Sequence, residues 1–228
     1  MTGPDGRSTF SSMRNDSRVL PFIAATAFVA SATVPARAAS PVWFNVGPKV
    51  PAIEAPVAVA PASGTVFIGT FGGGVLKSTN GGTTFVPANA GLAGNALSVS
   101  SLAMDPTNPN VVVAGAADGG ISRTVDGGAT WMPTSEVGTN VVFVTVDPLD
   151  PRVWYAGYGV GAGASIRKST DGGATWAKAD AGIPQTTVWS IAVDPMYPGT
   201  LYAGTGDAGG FRSGDGGATW SAMPLAPA

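Results

Sequence analysis

Asp118 in "AADGG" and Asp207 in "TGDAGG" each stand eight residues ahead of a second aspartate, Asp126 and Asp215. Two carboxylates brought to one cleft can act as general acid and general base on a glycosidic bond. Asp118 and Asp207 are therefore the candidate catalytic residues. Glu136 and Asp180 add carboxylates for binding, and Tyr158 and Trp189 add rings that could stack on a sugar. A plainer chemistry competes with each. Aspartate beside glycine is ordinary turn chemistry, and an aromatic ring is more often packing than platform. The chain has no histidine and no cysteine. That excludes His-based triads, cysteine nucleophiles, disulfides and His- or thiolate-bound metal. No metal site and no cofactor is expected. "GYGVGAG" (157–163) is a loose glycine-rich match to a nucleotide loop, but no helix pattern follows it and no βαβ unit surrounds it.

The elements that position these residues are short. Among 228 residues, 33 are glycine and only 11% are charged. That composition suits short strands and tight turns. The net charge is −2 with no basic run, which argues against a nucleic-acid partner.

One string recurs: "KSTNGGTTF" (77–85), "RTVDGGATW" (123–131), "KSTDGGATW" (168–176) and "RSGDGGATW" (212–220). Its turn residues Asn80, Asp126, Asp171 and Asp215 are 46, 45 and 44 residues apart. Such a period marks a solenoid or a propeller. Each unit also carries a "DP" string or its weaker copy, "VAVAP", "SLAMDP", "VTVDP" and "IAVDP". An apolar segment follows in each: "VFIGT", "VVAGA", "WYAGY" and "LYAGT". Ahead of the DP aspartates, large residues alternate with small ones, as in Leu102-Ala103-Met104 and Val144-Thr145-Val146. Period two is a strand signal. The expectation is an all-β propeller of four-stranded antiparallel blades of about 45 residues. The blades are placed at 52–90, 97–136, 140–181 and 187–224.

In the recurring string, Asp or Asn can accept backbone N–H bonds and close a turn. The tryptophan supplies apolar surface between blades. The pattern S/T-x-D-x-G-x-T-W resembles the Asp-box, or bacterial neuraminidase repeat. Its residues here are Thr124, Asp126 and Trp131; Ser169, Asp171 and Trp176; Ser213, Asp215 and Trp220; and, in the looser copy, Ser78, Asn80 and Phe85. The resemblance implies that the box is the turn between a blade's third and fourth strands, a structural staple rather than a site. Lys77, Arg123, Lys168 and Arg212 precede each turn at one fixed spacing and read as part of the repeat. The DP turns and boxes are then expected on one face, and the second-to-third loops and blade links on the other. On that other face one loop is three residues longer, "YGVGAGAS", an asymmetry of the kind repeat proteins use for function.

Members of this repeat class include sialidases, secreted xyloglucan hydrolases, photosystem II assembly factors and sortilin-like receptors. Sialidases of the class use an arginine triad and a tyrosine nucleophile paired with glutamate. After residue 38 this chain has four arginines, two of them repeat positions, and no Arg-Ile-Pro segment. The hydrolases use aspartates from different blades and are far longer. The sparse charge most resembles the non-catalytic members, which bind peptides or proteins. The reading is a binding or assembly module for protein or glycan. The alternatives are a glycoside hydrolase using loop-face carboxylates, and a truncated propeller without independent activity.

Residues 13–39 carry Arg14 and Arg18 near the start, continue in an apolar run from Val19 to Val34, and reach Ala36-Arg37-Ala38. This pattern predicts a secretory leader cleaved after Ala38, with residues 39–228 secreted or periplasmic and holding no membrane span. Trp43 in "PVWFNV" reads as a spare fourth strand. With four complete blades beside it, self-association to complete a ring is a further expectation.

Overall fold

The computed structural model describes residues 57–224, apart from 61, 62, 160, 162–164 and 198. The leader, its cleavage point and the Trp43 segment lie outside the described residues. The described chain is all-β. Blade one holds β1 (Val57–Ala60), β2 (Thr65–Thr70), β3 (Gly74–Ser78) and β4 (Val86–Pro87). Blade two holds β5 (Val99–Met104), β6 (Val112–Ala116), β7 (Gly120–Thr124) and β8 (Met132–Pro133). Blade three holds β9 (Val141–Val146), β10 (Trp154–Tyr158), β11 (Ile166–Ser169) and β12 (Ala177–Lys178). Blade four holds β13 (Val188–Val193), β14 (Leu201–Thr205), β15 (Gly210–Ser213) and β16 (Ser221–Ala222). In each, the four strands pair antiparallel in sequence order. A 3-10 turn, Gly94–Leu97, links blades one and two. Among the described residues no helix is long and apolar enough to cross a membrane.

The two ends of every blade separate as the sequence predicts. At one end, each box turn bonds to its own blade's first loop. Gly81 N donates to Gly64 O, Gly127 N to Asn110 O, Gly172 N to Arg152 O and Gly216 N to Gly199 O, all at 2.8–3.0 Å. At the other end, each second-to-third loop bonds to a blade link: Ala117 N to Ser98 O, Gly159 N to Asn140 O and Gly206 N to Thr187 O reach the link that enters their own blade, and Gly72 N to Leu97 O reaches the link that enters the next.

The box residues work as a staple. Thr124 Oγ1 donates to Asp126 Oδ1 at 2.7 Å and accepts from Gly128 N at 2.9 Å. Asp126 then accepts Thr130 N and the Thr130 hydroxyl, at 2.9 and 2.6 Å. Ser169–Asp171–Thr175 and Ser213–Asp215–Thr219 repeat the set. In blade one Asn80 substitutes. Its Oδ1 takes Ser78 Oγ and Thr84 N, while its Nδ2 donates to Thr84 Oγ1 at 2.9 Å. The hydroxyl has reversed from donor to acceptor, so an amide closes the same turn without charge.

Three apolar clusters form the core, one between each pair of consecutive blades. Phe67, Val75, Val99 and Trp131 join blades one and two. Val113, Ile121, Val141, Trp154, Tyr158 and Trp176 join two and three. Tyr155, Ile166, Val188, Leu201, Phe211 and Trp220 join three and four. Each box tryptophan packs back onto the preceding blade. Trp131 Nε1 donates to Ala88 O and Trp220 Nε1 to Ala179 O, at 2.8 and 2.9 Å. Trp176 differs: its Nε1 donates to Gly173 O of its own turn. Burying one such ring stabilises on the order of 2–3 kcal/mol, and its N–H bond adds about 1. Among the described residues no cluster joins blade four to blade one.

Candidate functional site

The link end of the blades carries every residue singled out for chemistry. Each owes its place to a β2–β3-type loop, a blade link, the start of an inner strand or, for Tyr158, the end of the second strand β10.

Asp118 occupies the loop between β6 and β7 with φ 57°, the one positive value among the described non-glycine residues. Aspartate tolerates this left-handed conformation better than most side chains. Its backbone carbonyl accepts Asn95 Nδ2 at 3.4 Å, and its carboxylate is exposed without a hydrogen-bond partner among the described residues. Asp207, in the loop between β14 and β15, accepts a short bond from the Thr186 hydroxyl, and that bond ties the loop to the incoming link. The two aspartates stand in blades two and four with blade three between them. No described hydrogen bond or ion pair connects their surroundings. Each is placed by the turn of its own loop.

Glu136, Tyr158 and Arg167 do come together, but inside the protein. Tyr158 is 0% exposed and Glu136 is 5% exposed. The Tyr158 hydroxyl donates to Glu136 Oε2 at 3.3 Å. Arg167 Nε lies 2.7 Å from the same oxygen, an ion pair whose N–H is not aligned on it, and the guanidinium covers the Tyr158 ring at 5.7 Å. Burial, and then the Glu136 charge, push the phenol far above its ordinary value. A tyrosine–glutamate pair beside arginine has the composition of a sialidase nucleophile. Here the phenol is shielded and held neutral. The expectation that Tyr158 stacks on a sugar is therefore corrected: its ring faces are already occupied. The trio fixes the link between blades two and three, where the Glu136 carbonyl also accepts Ile121 N at 2.8 Å.

Asp180 is likewise internal, at 5% exposure. Its Oδ2 accepts Ser165 N at 2.8 Å and starts β11, and Lys178 Nζ stands 3.5 Å from Oδ1. Asn89 does the same in blade one, with Oδ1 accepting Val75 N at 2.7 Å and Nδ2 donating to Gly73 O. Sequence reasoning passed over Asn89. The signal was its spacing, four residues after Phe85 as Asp180 is four after Trp176.

Trp189 remains open at 61% exposure. It sits at the bulge where β13 leaves register with β14. The ring lies against the β14–β15 loop, where a Cβ added to Gly206 would meet Nε1 at 3.1 Å. Phe71, at 63% exposure, is the aromatic counterpart in the blade-one loop. The tip of the longer third loop falls at residues 160 and 162–164, outside the described set. Among the described residues no cluster of three carboxylates could hold a metal ion. This end of the molecule offers exposed rings and carboxylates, with Trp189, Phe71, Asp118 and Asp207 open to solvent.

No protein-family model and no curated protein matches the chain. Solved structures do. An ancestral GH74 enzyme superposes with TM-score 0.64 at 21% identity, over 73% of this chain and 23% of that one. The GH74 xyloglucanase from Xanthomonas campestris gives 0.62 at 20% identity, over 75% and 30%. YCF48 bound to D1 peptide gives 0.50 at 17% identity, over 71% and 50%. The chain thus spans under a third of the GH74 proteins and half of that YCF48 chain. At these identities the likeness is one of fold, and the fold is a β-propeller of antiparallel four-stranded blades.

Proposed function

We propose that this chain is a non-catalytic recognition module that holds a protein segment against the link end of its blades, in an exported compartment. One observation carries the reading: the link end presents exposed aromatic surface at Trp189 and Phe71. A hydrolase needs two carboxyl groups flanking one bond within about 10 Å. Asp118 and Asp207 are each held by turn geometry in separate blades. The peptide-bound YCF48 structure supports protein recognition on this fold. The GH74 structures favour a second reading, hydrolysis of a plant-type polysaccharide, with Asp118 and Asp207 as its acids.

The test sets the full chain against an array of extended peptides and against xyloglucan, sialosides and other polysaccharides. Saturable peptide binding that perturbs Trp189 fluorescence, without product from any glycan, is expected. Product that disappears in a folded Asp118→Asn/Asp207→Asn variant would overturn the reading. Saturable glycan binding without turnover would replace protein by glycan as the ligand.

A further inference from the structure

Each blade junction is locked by the same two-part contact. A residue of the blade's second strand packs on the second glycine of the next blade's box. A basic residue of the third strand donates to the carbonyl of the first glycine. Between blades one and two the pair is Phe67 and Lys77. A Cβ at Gly128 would lie 2.7 Å from the Phe67 ring, and Lys77 Nζ donates to Gly127 O at 2.6 Å. Between two and three it is Val113 against Gly173, with Arg123 Nε donating to Gly172 O at 2.7 Å. Between three and four it is Tyr155 against Gly217, with Lys168 Nζ donating to Gly216 O at 2.8 Å.

Blade four presents the donor half of a fourth lock, Tyr202 and Arg212, and nothing described meets it. Tyr202 is 39% exposed where Tyr155 is 1%. Arg212 is exposed and has no hydrogen bond or ion pair among the described residues. Blade one presents the acceptor half. No described side chain donates to the Gly81 carbonyl, and a Cβ at Gly81 would meet nothing within 4 Å, whereas its three counterparts lie against a lysine or arginine. Phe85, the box aromatic that would pack back onto a preceding blade, is only partly buried where Trp131 and Trp220 are 2% and 4% exposed.

We propose that these two ends dock on each other between two copies of this chain, Tyr202 and Arg212 of one against Gly81 and Gly82 of the other. The occupant is argued from the fit. The contact needed at each end is the one the same chain already makes three times, and one end supplies what the other lacks. Such a junction is head-to-tail, and it ends in a ring only where the rotation closes. Two copies of the four described blades make eight, within the range of closed propellers, whereas three copies would exceed it. Closure would also cover the apolar faces and strand edges at both ends.

The test is the mass of the purified full chain by sedimentation velocity across a concentration series, beside Tyr202→Arg/Arg212→Glu. Both side chains are exposed, so the variant is expected to keep its circular dichroism. The expected result is twice the chain mass for the parent, and a monomer for the variant with at least a tenfold weaker association. A second variant, Lys168→Ala, weakens an internal lock and is expected to lower the melting temperature while leaving the pair assembled. A parent that stays monomeric at tens of micromolar overturns the proposal. So does a pair that survives both end substitutions in a folded variant, and so does an open ladder of masses.

Discussion

The box end and the link end of this molecule are built from the same four repeats, yet they differ in how much they repeat. At the box end the staple is copied blade after blade, down to the hydroxyl that accepts the glycine N–H. At the link end the blades differ: Asn89 and Asp180 cap the third strands of blades one and three, a 3-10 turn follows blade one, a buried Glu136–Arg167–Tyr158 trio holds the link from blade two to blade three, and blade four exposes Trp189. Repetition marks what every blade needs in order to fold. Divergence marks where one blade can differ without unfolding its neighbours, and that freedom makes a recognition surface possible.

Tryptophan gives the widest separation. Trp131→Ala removes a ring that is 2% exposed and its bond to Ala88 O, and is expected to cost about 3–5 kcal/mol in denaturant unfolding. Trp189→Ala at the link end is expected to change stability by no more than about 0.5 kcal/mol. Equal costs for the two would break the comparison. Glycine gives the next. A Cβ at Gly182 would lie 2.1 Å from Trp220 O, at φ +97°, so Gly182→Ala is expected to cost more than about 2 kcal/mol. Gly72, also at positive φ but with nothing within 4 Å, should lose only about 1 kcal/mol as alanine.

The staple itself comes third. Ser169 is 1% exposed, donates to Asp171 Oδ1, and accepts Gly173 N. Ser169→Ala leaves that N–H without its partner and is expected to cost about 1–3 kcal/mol, read as a lower denaturation midpoint.

Acid sharpens the contrast among the boxes. The Thr130 hydroxyl holds Asp126 down to about 2 from 3.8, and the Thr219 hydroxyl does the same for Asp215. At Asp171, burial pulls upward but the bonds from Thr175 and Ser169 outweigh it, again to about 2. A carboxylate whose folded value is depressed binds its proton more readily when unfolded. Its contribution is therefore present above about pH 4 and is lost as the pH falls toward 2. Melting temperature followed over that window is expected to fall for the parent. It should fall less for Asp126→Asn/Asp171→Asn/Asp215→Asn, whose boxes would close as Asn80 does. The smallest effect is expected from Asp118→Asn/Asp207→Asn, within about 0.5 kcal/mol of the parent, because these side chains end turns at the surface.

The fold was legible because its signals are local and repeated. The spacing of Asn80, Asp126, Asp171 and Asp215, the alternation before each DP, and the glycines after each box all act within one blade. Lys77, Arg123 and Lys168 were recognisable as repeat positions, but their targets, carbonyls 48–50 residues away, were not. The site was legible only in its placement. Tyr158, Glu136 and Asp180 have the residue types of a binding surface, and nothing in their own neighbourhoods reveals that adjoining blades and links bury them.

What the sequence by itself determined is the blade: four strands, a hydroxyl-anchored Asp or Asn staple and an aromatic ring, written into each repeat by turn chemistry and period-two patterning. What only the tertiary structure decided is which side of each residue remains open. Tyr155 and Tyr202 occupy the same place in successive repeats. One is sealed by the blade that follows it and the other is exposed, because burial belongs to the neighbour a residue meets and not to the residue itself.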